Sequence, residues 1–213
     1  HKAYHPFVWR GWWDFGTCVL GDMACHITNL AYMGLDLGYP EKIDVKAENN
    51  SAPTGPTSAT IRYHFPSRGV LPPVTMTWLE GKWRPDEELF LGSEIPTNGL
   101  LIVGKKGRLL TGNMYCTKFT LLPTEKFQDY QAPEPYLPRV GGHHHEWIQA
   151  CKTGSRTTSN FQYAGRFVES LLAGNVALRL DKSLEWDGLH MKARNCPEAD
   201  AYISPPRRKG WEL

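Results

Sequence analysis

The chain contains no Cys-x-x-Cys pair, no Gly-x-Gly-x-x-Gly turn, no P-loop, and no His-Glu-x-x-His or Gly-x-Ser-x-Gly segment. Each absence removes a class of chemistry. The five cysteines, Cys18, Cys25, Cys116, Cys151 and Cys196, are scattered and odd in number. That argues against a disulfide framework and a structural zinc site, and they read as reduced, mostly buried thiols. Without a glycine loop between strand and helix, nothing holds a dinucleotide by the usual device. No apolar run approaches the ~20 residues a bilayer requires. A formal net charge of +2 makes no case for a nucleic acid or a membrane surface as partner. There is no internal repeat and no low-complexity tract. No signal peptide is visible and the first residue is His1, so the chain is expected to be a piece of a longer protein, and the compartment stays open.

What remains is an ordinary globular composition, 41% hydrophobic and 22% charged over 213 residues, enough for one domain with a real core. Eight tryptophans are many for this length. Three of them, Trp9, Trp12 and Trp13, crowd the stretch WRGWWDFG.

Hydrophobic periodicity divides the chain into three zones. Residues 17–37 read as a helix with Val19, Met23, Ile27 and Leu30 at helical spacing, a cap at Thr17, and an end at Gly38 and Pro40. Residues 41–122 read as strands. ATIRYHF alternates cleanly, with Ala59, Ile61, Tyr63 and Phe65 on one face, and VTMTW repeats the pattern at Val74, Met76 and Trp78. LLIVGKKGRLLTG reads as a hairpin, residues 80–98 as a long loop, and the proline-bearing stretch 123–142 as an extended connection. Residues 143–213 return to helix. HHHEWIQACKTG is a short helix ended by Gly154. NFQYAGRFVESLLAGNVALRL is a long one with Asn160 as N-cap and a stripe of Ala164, Phe167, Val168, Leu171, Leu172 and Leu178. SLEWD and HMKAR are short strand candidates, and PEADAYI is a last helix with Pro197 in its first turn. Strands in the middle and helices at both ends predict a single α+β domain over 1–213. It would be a mainly antiparallel sheet with helices gathered on one face, leaving the other face free to pack on a partner subunit.

Several residues carry candidate chemistry. Asp22 and His26, four apart, project from the same side of the predicted helix. They could serve as acid/base and orienter on a substrate hydroxyl, since imidazole titrates near neutrality. Spacing alone favours a plain helix-surface hydrogen bond between them. The tryptophan group could stack on a sugar with Arg10 and Asp14 as polar contacts, or plug the core or an interface. Of the run His143, His144 and His145, consecutive helical positions let only two easily share an ion. It reads as a helix start with one inward and two solvated imidazoles, and no metal is expected. Lys152 and Arg156 could meet an anionic partner or be a solvated basic turn.

The segment YHPFVWRGWWDFGTCVLGDMACHITNL resembles the C-terminal domain of the Gfo/Idh/MocA oxidoreductases, the glucose–fructose oxidoreductase and inositol dehydrogenase superfamily. It is most similar to a bacterial branch carrying a WRGWWDFGTGALGDMGCH-like segment. EWIQACKTG, NFQYAGRFVESLLAGNVALRL, LEWD and RKGWEL extend the resemblance from Tyr4 to Leu213. It implies an open-sheet α+β domain, often self-associating through the sheet face, that follows a Rossmann domain absent from this chain. It also implies an NAD(P)-dependent oxidoreductase acting on a sugar, polyol or glycoside hydroxyl, with His26 as acid/base and Asp22 binding and orienting substrate. Arg10, Trp12, Trp13 and Asp14 fall where the branch approaches the sugar, so at least one of Trp12 and Trp13 is expected to face substrate and Trp9 to pack. NAD or NADP would be held mainly by the missing domain, which also carries the lysine of an EKP motif. The chain departs from the pattern at Cys18 and Val19, where the common form has Gly and Ala, at Ala24 for a frequent Gly, and at Asn29 for a frequent Asp. A non-enzymatic carbohydrate-binding or oligomerisation module that keeps the fold is the alternative.

Overall fold

In the computed structural model, residues 5, 7–51 and 53–211 are described. Tyr4 and Leu213, the ends of the resemblance, lie outside them. The fold is α+β, with an open antiparallel sheet and helices. Five strands, β1 (Lys42–Glu48), β2 (Ser58–Phe65), β3 (Val74–Glu80), β7 (Leu184–Asp187) and β8 (Lys192–Ala193), lie in the order β3-β2-β1-β7-β8. All their pairings are antiparallel. A separate sheet holds β4 (Leu100–Val103), β5 (Arg108–Thr111) and β6 (Thr120–Leu122). The single expected sheet is therefore two, with the predicted hairpin forming most of the smaller one.

The alternation of β2 sets the layer. Ala59, Ile61, Tyr63 and Phe65 are buried, and the register places them opposite Ala47, Val45 and Ile43 on one side and Trp78, Met76 and Val74 on the other. Residues of one sheet face thus stack as cross-strand neighbours, and each large apolar side chain removed from water contributes roughly 1.5–3 kcal/mol. The buried face is covered by α1 (Cys18–Ile27) and α4 (Phe161–Leu180). Tyr63 spans the layers by donating its hydroxyl to the Leu171 carbonyl at 3.1 Å. Gly174 permits that closeness, because a Cβ there would overlap the Tyr63 hydroxyl. Asn160 caps α4 as expected, its side-chain oxygen accepting from the Tyr163 N–H at 3.3 Å.

Four local expectations are corrected. The helix predicted over 17–37 is two, α1 and α2 (Asn29–Gly34). They break at Thr28, whose hydroxyl turns back onto the Ala24 carbonyl at 2.8 Å, a bond that competes with helix continuation. Thr17 holds the N-cap position without a side-chain cap bond. The buried line of these helices is Leu20, Ala24, Ile27 and Ala31, while Val19 and Leu30 are exposed. Both lines have helical spacing, and packing on α4 selects the one that includes small alanines. In α4 itself Phe167, Leu171 and Leu178 are buried, but Val168 is exposed and Leu172 half-buried.

The helix α3 (His143–Thr153) has no buried residue and leaves Trp147 65% and Ile148 48% exposed. Its three histidines all lie outward, so the expected inward imidazole is not found. Gly154, at φ +72, ends it. All five cysteines are free thiols, but only Cys18 and Cys196 are buried, so the expected burial holds for two of them. No helix among the described residues is long and apolar enough to cross a membrane, and no group of three or more His, Cys, Asp or Glu side chains there is placed to share a metal.

The open sheet face is polar. At its centre the Asp44 carboxylate accepts from Lys42 at 2.9 Å, Ser183 at 2.7 Å and His64 Nε2 at 2.8 Å. Burial alone would raise the Asp44 pKa, but the hydrogen bonds from Ser183, Lys42 and His64 outweigh it and hold it at about 2. A carboxylate depressed below its ordinary value stabilises the fold fully above about pH 4, and that contribution is lost as pH falls toward the folded value. In denaturant titrations, Asp44→Asn is expected to lower the unfolding midpoint near neutrality. Its gap to the parent should narrow between about pH 4 and pH 2, and a gap independent of pH would remove Asp44 as the source.

Candidate functional site

The site is built from the N-terminal segment outward. A 3-10 turn over Trp9–Gly11 continues into a bridge between Trp12 and Thr54. The Trp13 N–H donates to the Pro53 carbonyl at 3.1 Å, and the Gly55 N–H to the Gly11 carbonyl at 3.0 Å. The segment therefore lies along residues 53–55 before folding back on itself. Gly16 makes that return, since a Cβ there would sit 2.6 Å from the Arg10 carbonyl oxygen and 2.7 Å from its Cα. The closure brings the Arg10 side chain alongside α1.

On the outer side of α1, Asp22 and His26 stand one turn apart and both are exposed. They do not hydrogen-bond to each other. Asp22 instead forms an ion pair with Arg10, whose guanidinium lies over the Phe7 ring at 4.2 Å. His26 meets the edge of Tyr115, with ring centroids 5.7 Å apart at 73°. Tyr115 comes from the β5–β6 connection, which is held by one bond within the loop and one to the end of α1. Asn113 Oδ1 accepts from the Tyr115 N–H at 3.0 Å, and the Cys116 thiol donates to the Ile27 carbonyl at 3.5 Å. Asp14 is exposed and Trp12 half-buried. Trp13 turns inward, packed against the core with the Arg179 guanidinium 5.2 Å over its ring. Trp9, expected to pack, is 49% exposed, and Phe15 is exposed as well.

No family model and no curated protein matches the chain. Asp22 supplies acceptors, Arg10 supplies donors, His26 offers a group that can take or give a proton, and exposed rings supply flat apolar surface. This is a face and not a pocket. A cavity of about 770 Å³ lies along β3 and the segment 81–101 and reaches α1 at Val19, Met23 and Ile27, leaving Asp22 and His26 outside its lining. The Asn29 side chain is engaged, its Oδ1 accepting from the Tyr163 hydroxyl.

Sequence pattern put Asp22 and His26 on one side of a helix, and the resemblance added Arg10, which the structure sets against Asp22. Sequence reading missed Phe7 and Tyr115. The turn signal in GNMYC marks a loop, but nothing local says that the loop reaches α1. It also gave no hint of Glu80, a buried carboxyl that accepts from Trp78 Nε1 at 2.7 Å. Burial pushes its pKa up, and the Trp78 bond only partly opposes that.

Cys18 occupies the left-handed region at φ +58, which costs an L-residue roughly 1–2 kcal/mol and glycine little. Its thiol is buried, which raises its pKa to about 11, and it donates to the Gly11 carbonyl at 3.6 Å. Relief of the backbone and loss of a small buried side chain are thus of similar size and opposite sign. Cys18→Gly is expected within about 1 kcal/mol of the parent in thermal melts, and no less stable than Cys18→Ala, reversing the usual preference of helices for alanine. A glycine variant clearly less stable than the alanine variant would contradict the left-handed assignment.

Proposed function

We propose that the chain is the substrate-binding and catalytic half of an NAD(P)-dependent oxidoreductase acting on a sugar, polyol or glycoside hydroxyl. The observation that carries it is the disposition of Asp22 and His26. They share the outer side of α1 without bonding to each other, with Arg10 drawn onto Asp22 and exposed aromatic rings beside both. The resemblance of the segment Trp9–His26 supports the same assignment.

Oxidising a carbinol removes a proton from oxygen and a hydride from carbon. His26 is placed to take the proton, since its ring stands free of Asp22 at the open side of the helix. Asp22 accepts from a neighbouring hydroxyl, and Arg10, exchanging part of its ion pair for substrate, donates to another. Surface ion pairs contribute at most about 1 kcal/mol, so a diol can replace that contact at low cost. The rings offer their faces to the C–H side of a pyranose or cyclitol. The nicotinamide would accept the hydride. Its dinucleotide needs a cradle this chain does not build among its described residues, because the five-stranded sheet is antiparallel throughout and forms no parallel βαβ unit. That cradle belongs to the Rossmann domain the proposal requires.

The test uses the two-domain protein and a panel of sugars and inositols, following NAD(P) reduction. Asp22→Asn should raise KM. His26→Ala should lower kcat about 10²–10⁴-fold, the range of general acid–base contributions. Turnover within a few-fold of the parent on every accepted substrate would remove His26 from the role. Sugar binding without any redox activity would favour the carbohydrate-binding module instead, for which the exposed rings are equally suited.

The same proposal places a second copy on the open sheet face. Lys42, Lys46 and Arg62 lie there among Asp44 and Glu48 in adjacent registers, so the patch can meet itself about a two-fold axis. Light scattering should report a dimer or larger that dissociates when Arg62 and Lys46 are changed to Glu. A monomer at high concentration would count against it.

A further inference from the structure

A second cavity, about 370 Å³, lies between α2 and the start of α4, lined in part by Asp36, Arg156, Gln162, Tyr163 and Arg166. It contains none of the residues assigned above, and its volume suits a small polar molecule. Two guanidiniums and one carboxylate line it. The Arg166 side chain makes no hydrogen bond or ion pair among the described residues, and Arg156 donates only to the Gln162 carboxamide oxygen. That bond leaves the Gln162 amide nitrogen as a further donor. Asp36 forms no ion pair with either arginine, although all three line the same space.

The walls that hold these groups are well tied. Thr158, two residues after Arg156, is clasped by Glu146, whose carboxylate accepts from its N–H at 2.6 Å and its hydroxyl at 3.0 Å. Asn160 bonds the Thr157 carbonyl at 2.8 Å and caps α4. Tyr163 is held by the donation of its hydroxyl to Asn29. Unneutralised arginines on a supported concave wall are the arrangement that receives oxyanions, because the planar guanidinium presents paired donors at the spacing of carboxylate or phosphoryl oxygens. The Asp36 carboxylate would repel a bare anion but accept from a hydroxyl beside it.

The geometry points to a binding site for a small polyol bearing an oxyanion, a sugar phosphate or sugar acid, with Arg156 and Arg166 on the charged group and Asp36 on a hydroxyl. It stands independently of the role given to Asp22 and His26. The basic turn at Arg156 then serves a ligand, whereas Lys152 does not line the cavity.

Calorimetric titration of the 213-residue chain with glucose 6-phosphate, gluconate, inorganic phosphate and glucose tests it. Binding is expected for the first two, at least tenfold tighter than for glucose and several-fold tighter than for inorganic phosphate. Arg166→Ala and Arg156→Ala should each weaken it tenfold or more, and Arg166→Lys less. Both arginines are exposed, so unchanged circular dichroism is expected and a lost fold would not explain the loss. Asp36→Asn should tighten inorganic phosphate while narrowing the advantage of the sugar ligands. Equal affinity of the arginine variants and parent, glucose binding as tightly as its phosphate, or inorganic phosphate matching the sugar phosphate would each overturn the assignment. Of the two anionic sugars, the one bound more tightly identifies the source as phosphoryl or carboxylate.

Discussion

The inner face of β2 is the constraint from which the other positions follow. Tyr63, Phe65, Ile61 and Ala59 must all leave water together, and cross-strand register obliges β1 and β3 to present their apolar sides in the same plane. Two helices cover that plane, and they approach closely only where side chains are small. Gly174 admits Tyr63, and the Tyr63 hydroxyl settles the carbonyl of Leu171. The Asn175 amide then donates to the Thr17 carbonyl at 3.1 Å, joining α4 to the start of α1. With the inner side of α1 committed to this contact, Asp22 and His26 are left facing outward.

On that outer side the electrostatics are shared. Asp22 has two neighbours of opposite character, Arg10 from the N-terminal turn and His26 one helical turn away, and Arg10 takes it. The consequence is chemical. A carboxylate bonded to its own histidine would fix the imidazole, whereas one paired with a half-exposed arginine is held by a weak surface contact. The Phe7 and Tyr115 rings beside these groups stay mostly in water. Together with the exposed side of α3, they leave more aromatic surface in water than the core alone would require, which is typical of surfaces used for contact.

Much of the layout was legible because it is periodic. The strand alternation at 59–65 and 74–78, the cap at Asn160 and the stop at Gly154 each rest on rules that operate within a few residues. The failures have the opposite origin. The stripe Val19, Met23, Ile27, Leu30 obeys helical spacing as well as Leu20, Ala24, Ile27, Ala31 does, so only the neighbouring helix could choose. The break at Thr28 depends on one hydroxyl rotating onto Ala24. Trp9 stays in water and Trp13 turns inward because the turn closed by Gly16 directs each ring, and no local preference distinguishes one tryptophan from another four residues away. Tyr115 could not be found at all, since its place beside His26 depends on a thiol from the loop reaching the end of α1.

By itself the sequence determined the class of fold, the order of most elements and the helical face on which Asp22 and His26 sit, because hydrophobic period and backbone capping are short-range and do not need the rest of the chain. Tertiary structure decided which partner Asp22 takes, which rings face water, that the strands divide into two sheets, and that Arg156 and Arg166 share one cavity. Those outcomes depend on contacts between residues far apart in the chain. Burial and close packing are satisfied there for the whole molecule at once, and no single segment carries the information.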